Sequence, residues 1–196
     1  MSRYAFPASD DAGIVLDLEN GQGWDRSTDC GITACSDRTV EGWRYSTGWA
    51  DDQRVYFHAE FSKPFERIVF TGADTLSADG RSARGRKLYG RFGFRTEEAE
   101  RITVKVGLSA VSAENARRNM QAECPGWDFE AVREAAGDEQ LAVVLSRKLD
   151  GHVPSECGGS AADVHGHVQY GTFHDAHQFP LCMFSALEME PPQHAV

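Results

Sequence analysis

Two segments of the chain alternate apolar and polar residues with a period of two, the pattern of a β-strand that buries one face. In the first segment, one face carries Val55, Phe57, Ala59 and Phe61. In the second, alternate positions from Ile102 to Leu108 are apolar. Glycine-rich turns, and no helical pattern, separate the apolar runs between residues 13 and 112. The sequence therefore predicts a mainly β fold, an antiparallel sandwich rather than βαβ units.

After Ser112 the hydrophobic period changes from two to about 3.6 residues, which indicates helices. Ser112 is the predicted N-cap of a helix that runs through Ala122, and Pro125-Gly126 ends it. Asp128 is the predicted N-cap of a second short helix that stops at Gly137. A third helical pattern extends from about 139 to 149. We therefore predict a partial sandwich over 1–112, followed by a linker of two or three helices over 113–150.

Beyond residue 150 the composition shifts to Gly, Ser, His and Pro, and we predict an irregular, poorly ordered tail over 151–196 with one apolar patch, Phe179–Leu187. The tail histidines suggest a transition-metal site, because imidazole is a common ligand of such ions. The candidate ligands are His165, His167, His174 and His177, with Asp175 and Cys182 beside them. Adventitious nickel or zinc binding by these histidines is the alternative.

Length and charge limit the possible functions. The 196 residues, 41% of them hydrophobic, suffice for one domain with a buried core. A net charge of −10 opposes binding to nucleic acids or anionic membranes, although a basic run from Arg81 to Arg95 is interleaved with aromatic residues. We expect a solvated hairpin there. Neither a membrane span nor a signal peptide is recognisable, so the chain as encoded is expected in the cytoplasm. Its five cysteines lack metal-site spacing and are predicted to be free thiols.

Several motifs follow one another in the order of a known family. Arg3–Pro7, Ile14–Leu18 and Val40–Ala50 come first, and Val55–Phe65, Val104–Asn119 and Pro125–Phe129 follow. Together they resemble the N-terminal, supersandwich-like β-domain of the family-92 glycoside hydrolases, which are calcium-dependent, exo-acting α-mannosidases. The resemblance extends from about Arg3 to Ala136.

The resemblance implies what the whole enzyme does. In the intact family the sandwich packs on a helical catalytic domain, calcium helps to bind the terminal mannose of an α-mannoside glycan, and water attacks with inversion. Such relatives are expected to be secreted or periplasmic. On this alignment we expect the chain to begin inside the sandwich and to lack the catalytic carboxylates. We therefore nominate no catalytic residue and expect no calcium in this chain alone, and its expected partner is the catalytic domain or another copy of the chain.

A glycine-flanked segment offers candidate sugar-binding residues, because aromatic faces and planar hydrogen-bonding groups can hold a sugar ring. They are Trp43, Arg44, Trp49, Asp51 and Gln53. In the alternative, both tryptophans serve packing. The tail motif Tyr170–Asp175 is similar to the start of the family's catalytic domain, where such an aspartate contacts mannose, which makes Asp175 a further candidate. Three hypotheses remain open: a glycosidase fragment that is inactive alone, a non-catalytic carbohydrate-binding or domain-packing module, and a metal-binding protein.

Overall fold

The computed structural model describes residues 1–21, 24–48, 50–136 and 184–187. Its strands are β1 (Ser2–Phe6), β2 (Ser9–Asp17), β3 (Arg26–Ala34), β4 (Thr39–Thr47), β5 (Gln53–Phe61), β6 (Arg67–Thr71), β7 (Thr75–Leu76), β8 (Ser82–Gly85), β9 (Tyr89–Thr96), β10 (Glu100–Ser109) and β11 (Phe184–Leu187). One helix, α1, spans Ala113–Glu123, and a second helical segment covers 129–136. The mainly β prediction is confirmed.

The strands form two antiparallel sheets. Sheet A has the order β1-β10-β5-β4-β3-β8-β7, and sheet B has the order β11-β2-β9-β6. Strands β3, β4 and β5 are consecutive hairpin neighbours, whereas β1 pairs with β10 from far along the chain. Residues up to 127, together with β11, belong to one compact unit, and the 129–136 segment belongs to another. The predicted antiparallel sandwich is therefore present.

Phenylalanine rings dominate the buried core of the sandwich. Phe57, Ala59 and Phe61 of β5 are fully buried, as the alternation predicts. The Phe61 ring lies 5.3 Å from that of Phe92 and 5.9 Å from that of Phe94, which both belong to β9 of the other sheet. These tilted contacts join the two sheets through aromatic packing, which adds to the hydrophobic gain from burial.

Helix α1 packs on the outer face of sheet A. Its N-cap is Ser112, whose Oγ accepts a hydrogen bond from the Asn115 N–H at 3.1 Å, as predicted. Ala116 and Met120 are the buried residues of the helix. They lie over Gly107 of β10, where an added Cβ would sit 2.1 Å from the Ala116 carbonyl oxygen. The absence of a side chain at Gly107 therefore sets how closely the helix approaches the sheet.

The second helical segment begins at its predicted cap, because Asp128 Oδ1 accepts a hydrogen bond from the Ala131 N–H at 3.1 Å. Its predicted stop at Gly137 and the third helical pattern lie outside the described residues. The tail contains strand β11, which pairs with β2, whereas the sequence predicts only an irregular segment with an apolar patch there. Four residues inside a short apolar patch are too few for a pattern that distinguishes a strand from a loop. No helix in the described ranges is long and apolar enough to cross a bilayer.

Three of the five cysteines fall within the described residues, and all three are free thiols, as predicted. Cys30 is fully buried, and this burial raises the pKa of its thiol to about 11. Cys35 is exposed and makes no disulfide with it. Cys157 and Cys182 lie outside the described residues.

Candidate functional site

The candidate sugar-binding residues of β4 lie on opposite faces of sheet A. Successive side chains of a strand point to opposite faces, so Trp43 faces outwards and Arg44 faces the interior of the sandwich. Trp43 Nε1 donates a hydrogen bond to Asp29 Oδ2 at 2.9 Å, whereas Arg44 Nε donates to the Leu18 carbonyl at 3.0 Å. The two side chains therefore serve two separate surfaces.

The interior face ends in a buried ion pair between Arg44 and Asp25. Arg44 Nη1 lies 2.7 Å from Asp25 Oδ2, and the side chains are only 11% and 3% exposed. Among the described residues, neither Asp25 oxygen nor Arg44 Nη2 has a hydrogen-bond partner, so the short Nη1–Oδ2 contact attracts by charge without hydrogen-bond alignment. Buried polar atoms of this kind are costly unless a ligand or water satisfies them. This end of the sandwich therefore has unused hydrogen-bonding capacity.

Other polar residues lie near this ion pair at the same end of the sandwich. Ser46 donates from Oγ to Gln53 Oε1 at 3.3 Å, on the same face of the sheet as Arg44. Asp51 is exposed in the turn that leads into β5. Trp24, next to Asp25 in the chain, is 58% exposed. Of the predicted set, Arg44 and Gln53 thus share one face, Asp51 lies in the adjoining turn, and Trp49 lies outside the described residues.

Asp25 is the residue of this site that the sequence did not identify. It follows the glycine-containing segment 21–24, and an added Cβ at Gly48 would lie 2.8 Å from its Cα. Its carboxylate also packs against Gly21, where an added Cβ would lie 2.1 Å from Oδ2. The one local signal is its position after a glycine-flanked tryptophan, which resembles the Trp49–Asp51 segment that we did nominate.

The outer face carries Trp43 in a fixed position. The ring lies over Gly31 of β3, where an added Cβ would come within 2.3 Å of it. Asp29 accepts hydrogen bonds from Trp43 Nε1 and, at 2.8 Å, from Arg84 Nε. Burial raises the pKa of the Asp29 carboxyl, but the hydrogen bonds from Arg84 and Trp43 outweigh it, so the pKa lies below its usual value. The carboxylate thus stays ionised and holds the indole in place.

Two tyrosines extend this outer surface. The hydroxyls of Tyr45 and Tyr56 lie 2.7 Å apart in a hydrogen bond, and the Tyr45 ring centroid is 6.4 Å from that of Trp43. The Arg54 guanidinium carbon lies 5.3 Å from the Tyr45 centroid, a cation–π arrangement. The result is a half-exposed aromatic surface on the part of sheet A formed by β4 and β5.

A chain of paired charges lies farther along the same face. Buried His58 places Nδ1 2.7 Å from Glu41 Oε1 and Nε2 3.4 Å from Glu60 Oε1, and Glu60 Oε2 lies 3.0 Å from the buried Lys105 Nζ. Burial raises the pKa of the Glu60 carboxyl, but Lys105 and His58 outweigh it, so the pKa is lowered. Glu41 and Glu60 are therefore not simply solvated strand residues, because the strand pairings place the buried His58 and Lys105 beside them.

The basic run from Arg81 to Arg95 is largely paired. Lys87, Arg84, Arg91 and Arg95 contact the carboxylates of Glu19, Asp29, Asp11 and Asp10, and Arg81 and Arg86 donate to backbone carbonyls. Phe92 and Phe94 of the same segment are core residues rather than surface aromatics. The run is thus held by ion pairs and carbonyl contacts to distant parts of the chain, and its strands β8 and β9 belong to different sheets rather than to the hairpin that we predict from the sequence.

Metal ligands do not converge within the described part of the chain. No group of three or more His, Cys, Asp or Glu side chains there could hold an ion. Calcium requires six to eight oxygen ligands, so the described residues do not fit the ion that the family resemblance implies. Asp175 and the histidines His165, His167, His174 and His177 lie outside the described residues.

The fold and these surfaces define an antiparallel two-sheet sandwich module followed by capped helices. Residues 1–109 match the family model described as the glycosyl hydrolase family 92 N-terminal domain. Since this match spans more than half of the chain, the chain belongs to glycoside hydrolase family 92, and its sandwich is the N-terminal domain of that family.

Solved structures agree with this assignment. The family GH92 α-mannosidase BT3965 from Bacteroides thetaiotaomicron is 30% identical with a TM-score of 0.61, over 68% of this chain and 19% of that one. Its complex with mannoimidazole matches at 29% identity and a TM-score of 0.61, over 68% and 18%. The GH92 glycosyl hydrolase ccman5 is 28% identical with a TM-score of 0.58, over 71% and 18%. The chain thus spans about a fifth of the length of these enzymes, and no curated protein matches it significantly.

Proposed function

We propose that this chain is the N-terminal module of an α-mannosidase and that the end of its sandwich helps to hold the terminal mannose of a glycan. The buried Asp25–Arg44 pair is the observation that carries the proposal. Arg44 Nη2 is a donor and Asp25 Oδ1 an acceptor, and both are buried atoms without a hydrogen-bond partner in the part of the chain that the structure describes. Two hydroxyls on neighbouring carbons of a sugar ring need such a donor and acceptor side by side. The complex of BT3965 with mannoimidazole supports a mannose-like ligand for this family.

We assign this module a binding role and not the chemistry. Inverting hydrolysis needs an acid and a base about 6.5–9.5 Å apart, one of them with access to water. Asp25 Oδ2 lies 2.7 Å from Arg44 Nη1, and this ion pair leaves its carboxylate neither a free acid nor a free base. The pair therefore positions hydroxyls, while the acid, the base and any calcium belong to the catalytic part of such an enzyme. We expect no release of 4-nitrophenol from its α-mannoside by the 196-residue chain.

Binding of mannoimidazole to the 196-residue chain, followed by calorimetry, tests the proposal. Arg44→Lys keeps the positive charge but removes the planar second nitrogen, so we expect a loss of at least about tenfold in affinity. Arg84→Lys is the matched control, because it makes the same change in the exposed Arg84–Asp29 pair. Equal affinities of Arg44→Lys and wild type, with binding intact, would contradict the proposed role of the pair. Circular dichroism checks that both variants are folded.

The outer surface supports a second candidate function, a non-catalytic carbohydrate-binding module. The observation behind this candidate is Trp43, whose ring packs over Gly31 and whose Nε1 donates a hydrogen bond to Asp29. An aromatic ring presented in this way can stack on the apolar face of a sugar. Under this hypothesis Trp43→Ala abolishes binding to soluble mannan while Arg44→Lys leaves it intact. A flat titration of mannan into the wild-type chain would count against it.

A further inference from the structure

A pocket lies at the end of sheet A opposite to the Asp25–Arg44 pair. Its volume is about 300 Å³, and its lining residues are Arg38, Thr39, Glu60, Phe61, Ser62 and Trp127. Thr39 begins β4, whereas Arg44 lies five residues farther along the same strand. At about 3.4 Å per residue, roughly 17 Å of strand separate the pocket from the Asp25–Arg44 pair. One monosaccharide cannot contact both places.

The aromatic wall of this pocket is held in position from behind. Lys105 Nζ lies 4.3 Å from the centroid of the Trp127 ring, a cation–π contact. Lys105 is itself buried and paired with Glu60 at 3.0 Å. Because Lys105 is not among the lining residues and Trp127 remains 42% exposed, the ring still offers surface to the pocket. Trp127 and Glu60 are thus fixed by one buried lysine.

The polar groups of the pocket also have defined positions and unused capacity. Arg38 Nη1 donates to the Ser62 carbonyl, and Ser62 Oγ accepts from the Thr103 N–H at 2.9 Å. A guanidinium has five N–H donors and a carboxylate about four acceptor sites, so Arg38 and Glu60 can each bond a ligand in addition to their present partners. Donors and acceptors of both charges therefore face one small space beside an aromatic ring.

From this combination we propose that the pocket binds a single neutral hexopyranose ring. The aromatic wall suits the C–H face of a sugar, and the hydroxyls suit the carboxylate, the guanidinium and Thr39. A pocket with one positive and one negative group gives no net preference for an ionic ligand. Its volume is at the lower end of the range for small-molecule sites, which fits one ring rather than a long chain. The ring can be a free monosaccharide or one residue of a larger glycan.

Titration of the ¹⁵N-labelled 196-residue chain tests this site by NMR. The probes are methyl α-mannoside and α-mannotriose, and the Trp127 indole N–H signal is assigned with Trp127→Phe. We expect saturable shifts of this signal and of the amides of Thr39 and Ser62, with a Kd on the order of 1 mM for one ring. Equal affinity for both probes indicates recognition of a terminal or free sugar, whereas tighter binding of the trisaccharide indicates a glycan residue.

Variants separate this pocket from the other end of the sandwich. Trp127→Ala is expected to weaken binding at the pocket at least about tenfold and Thr39→Val about threefold, while Trp127→Phe retains most of the affinity. Trp24→Ala, which removes an exposed tryptophan elsewhere, should leave the pocket shifts unchanged. Absence of saturable shifts up to about 100 mM sugar, or wild-type affinity in a folded Trp127→Ala chain, would overturn the proposal. So would tighter binding of glucuronate than of mannoside. Shifts lost in Arg44→Lys alone would locate the sugar at the Asp25–Arg44 end and would also reject the pocket.

Discussion

The packing of α1 on sheet A can be tested by a substitution that adds one carbon atom. Gly107→Ala adds a Cβ that would lie 2.1 Å from the Ala116 carbonyl oxygen and 2.7 Å from Met120 Cβ. Ordinary contact begins at about 3.4 Å, so the helix backbone must move away by about 1.3 Å. A backbone carbonyl cannot rotate aside as a flexible side chain can. The substitution therefore lifts α1 and opens the contact that buries Met120.

The loss of stability is best measured against a second glycine-to-alanine variant. Extra atoms in a packed interface cost typically about 1–3 kcal/mol, whereas replacing glycine by alanine in a strand recovers about 0.5–1 kcal/mol of backbone entropy. Gly93→Ala in β9 has the same entropic gain, but its Cβ would lie 3.3 Å from Arg67 Cβ, so only a shift of a few tenths of an ångström is needed. We therefore expect Gly107→Ala to be less stable than Gly93→Ala by about 1–3 kcal/mol.

Urea unfolding monitored by circular dichroism measures this difference. With a slope of about 2 kcal/mol per molar urea, the midpoint of Gly107→Ala should lie about 0.5–1.5 M below that of Gly93→Ala. Amide hydrogen exchange should show lost protection in α1 and not in β9. Equal urea midpoints of the two variants, with unchanged hydrogen exchange in α1, would refute the argument that α1 packs closely only because residue 107 has no side chain.

Three further predictions concern single side chains. Cys35 should react with an aromatic disulfide reagent at pH 8, whereas Cys30 should react only on unfolding, because burial raises the pKa of the Cys30 thiol to about 11. Rapid modification of both Cys30 and Cys35 in the native chain would contradict this. Hydrogen bonding to Arg117 lowers the pKa of Glu114 to about 2, so the ionised Glu114 stabilises the fold above pH 4.5 and this stabilisation is lost as the pH falls towards 2. The melting temperatures of Glu114→Gln and wild type should therefore differ at pH 7 and converge at low pH, and a difference that does not change with pH would contradict this cause. Phe61→Ala should lower the free energy of unfolding by about 3–5 kcal/mol in urea titrations, and a loss below about 1 kcal/mol would mean that the core collapses around the cavity.

Features that depend on neighbouring residues in the chain were predictable from the sequence. The alternation in β5 located its buried face, and the caps at Ser112 and Asp128 located two helix starts, because each signal lies within a few residues of its effect. Family motifs then identified the domain.

Features that depend on distant residues were not predictable. His58 belongs to the polar face of β5, and alternation alone predicts that it is exposed. It is buried because α1, more than fifty residues later, covers that face and two glutamates meet its ring nitrogens. Asp25 is hidden in the same way, by packing against Gly48 and by its ion pair with Arg44. Contacts of this range have no local pattern.

The charges under α1 also bear on where this domain ends. Burying His58 and Lys105 is costly unless each is paired, and Glu41 and Glu60 supply the partners. The helix and Trp127 complete that burial, since Trp127 lies against Lys105 and α1 packs on the strands that carry these residues. Without α1, the face of β5 and β10 that carries His58, Lys105 and Gly107 would be uncovered. The boundary predicted at residue 112 stays a prediction, and this packing favours a folding unit in which α1 is part of the sandwich domain rather than part of a linker.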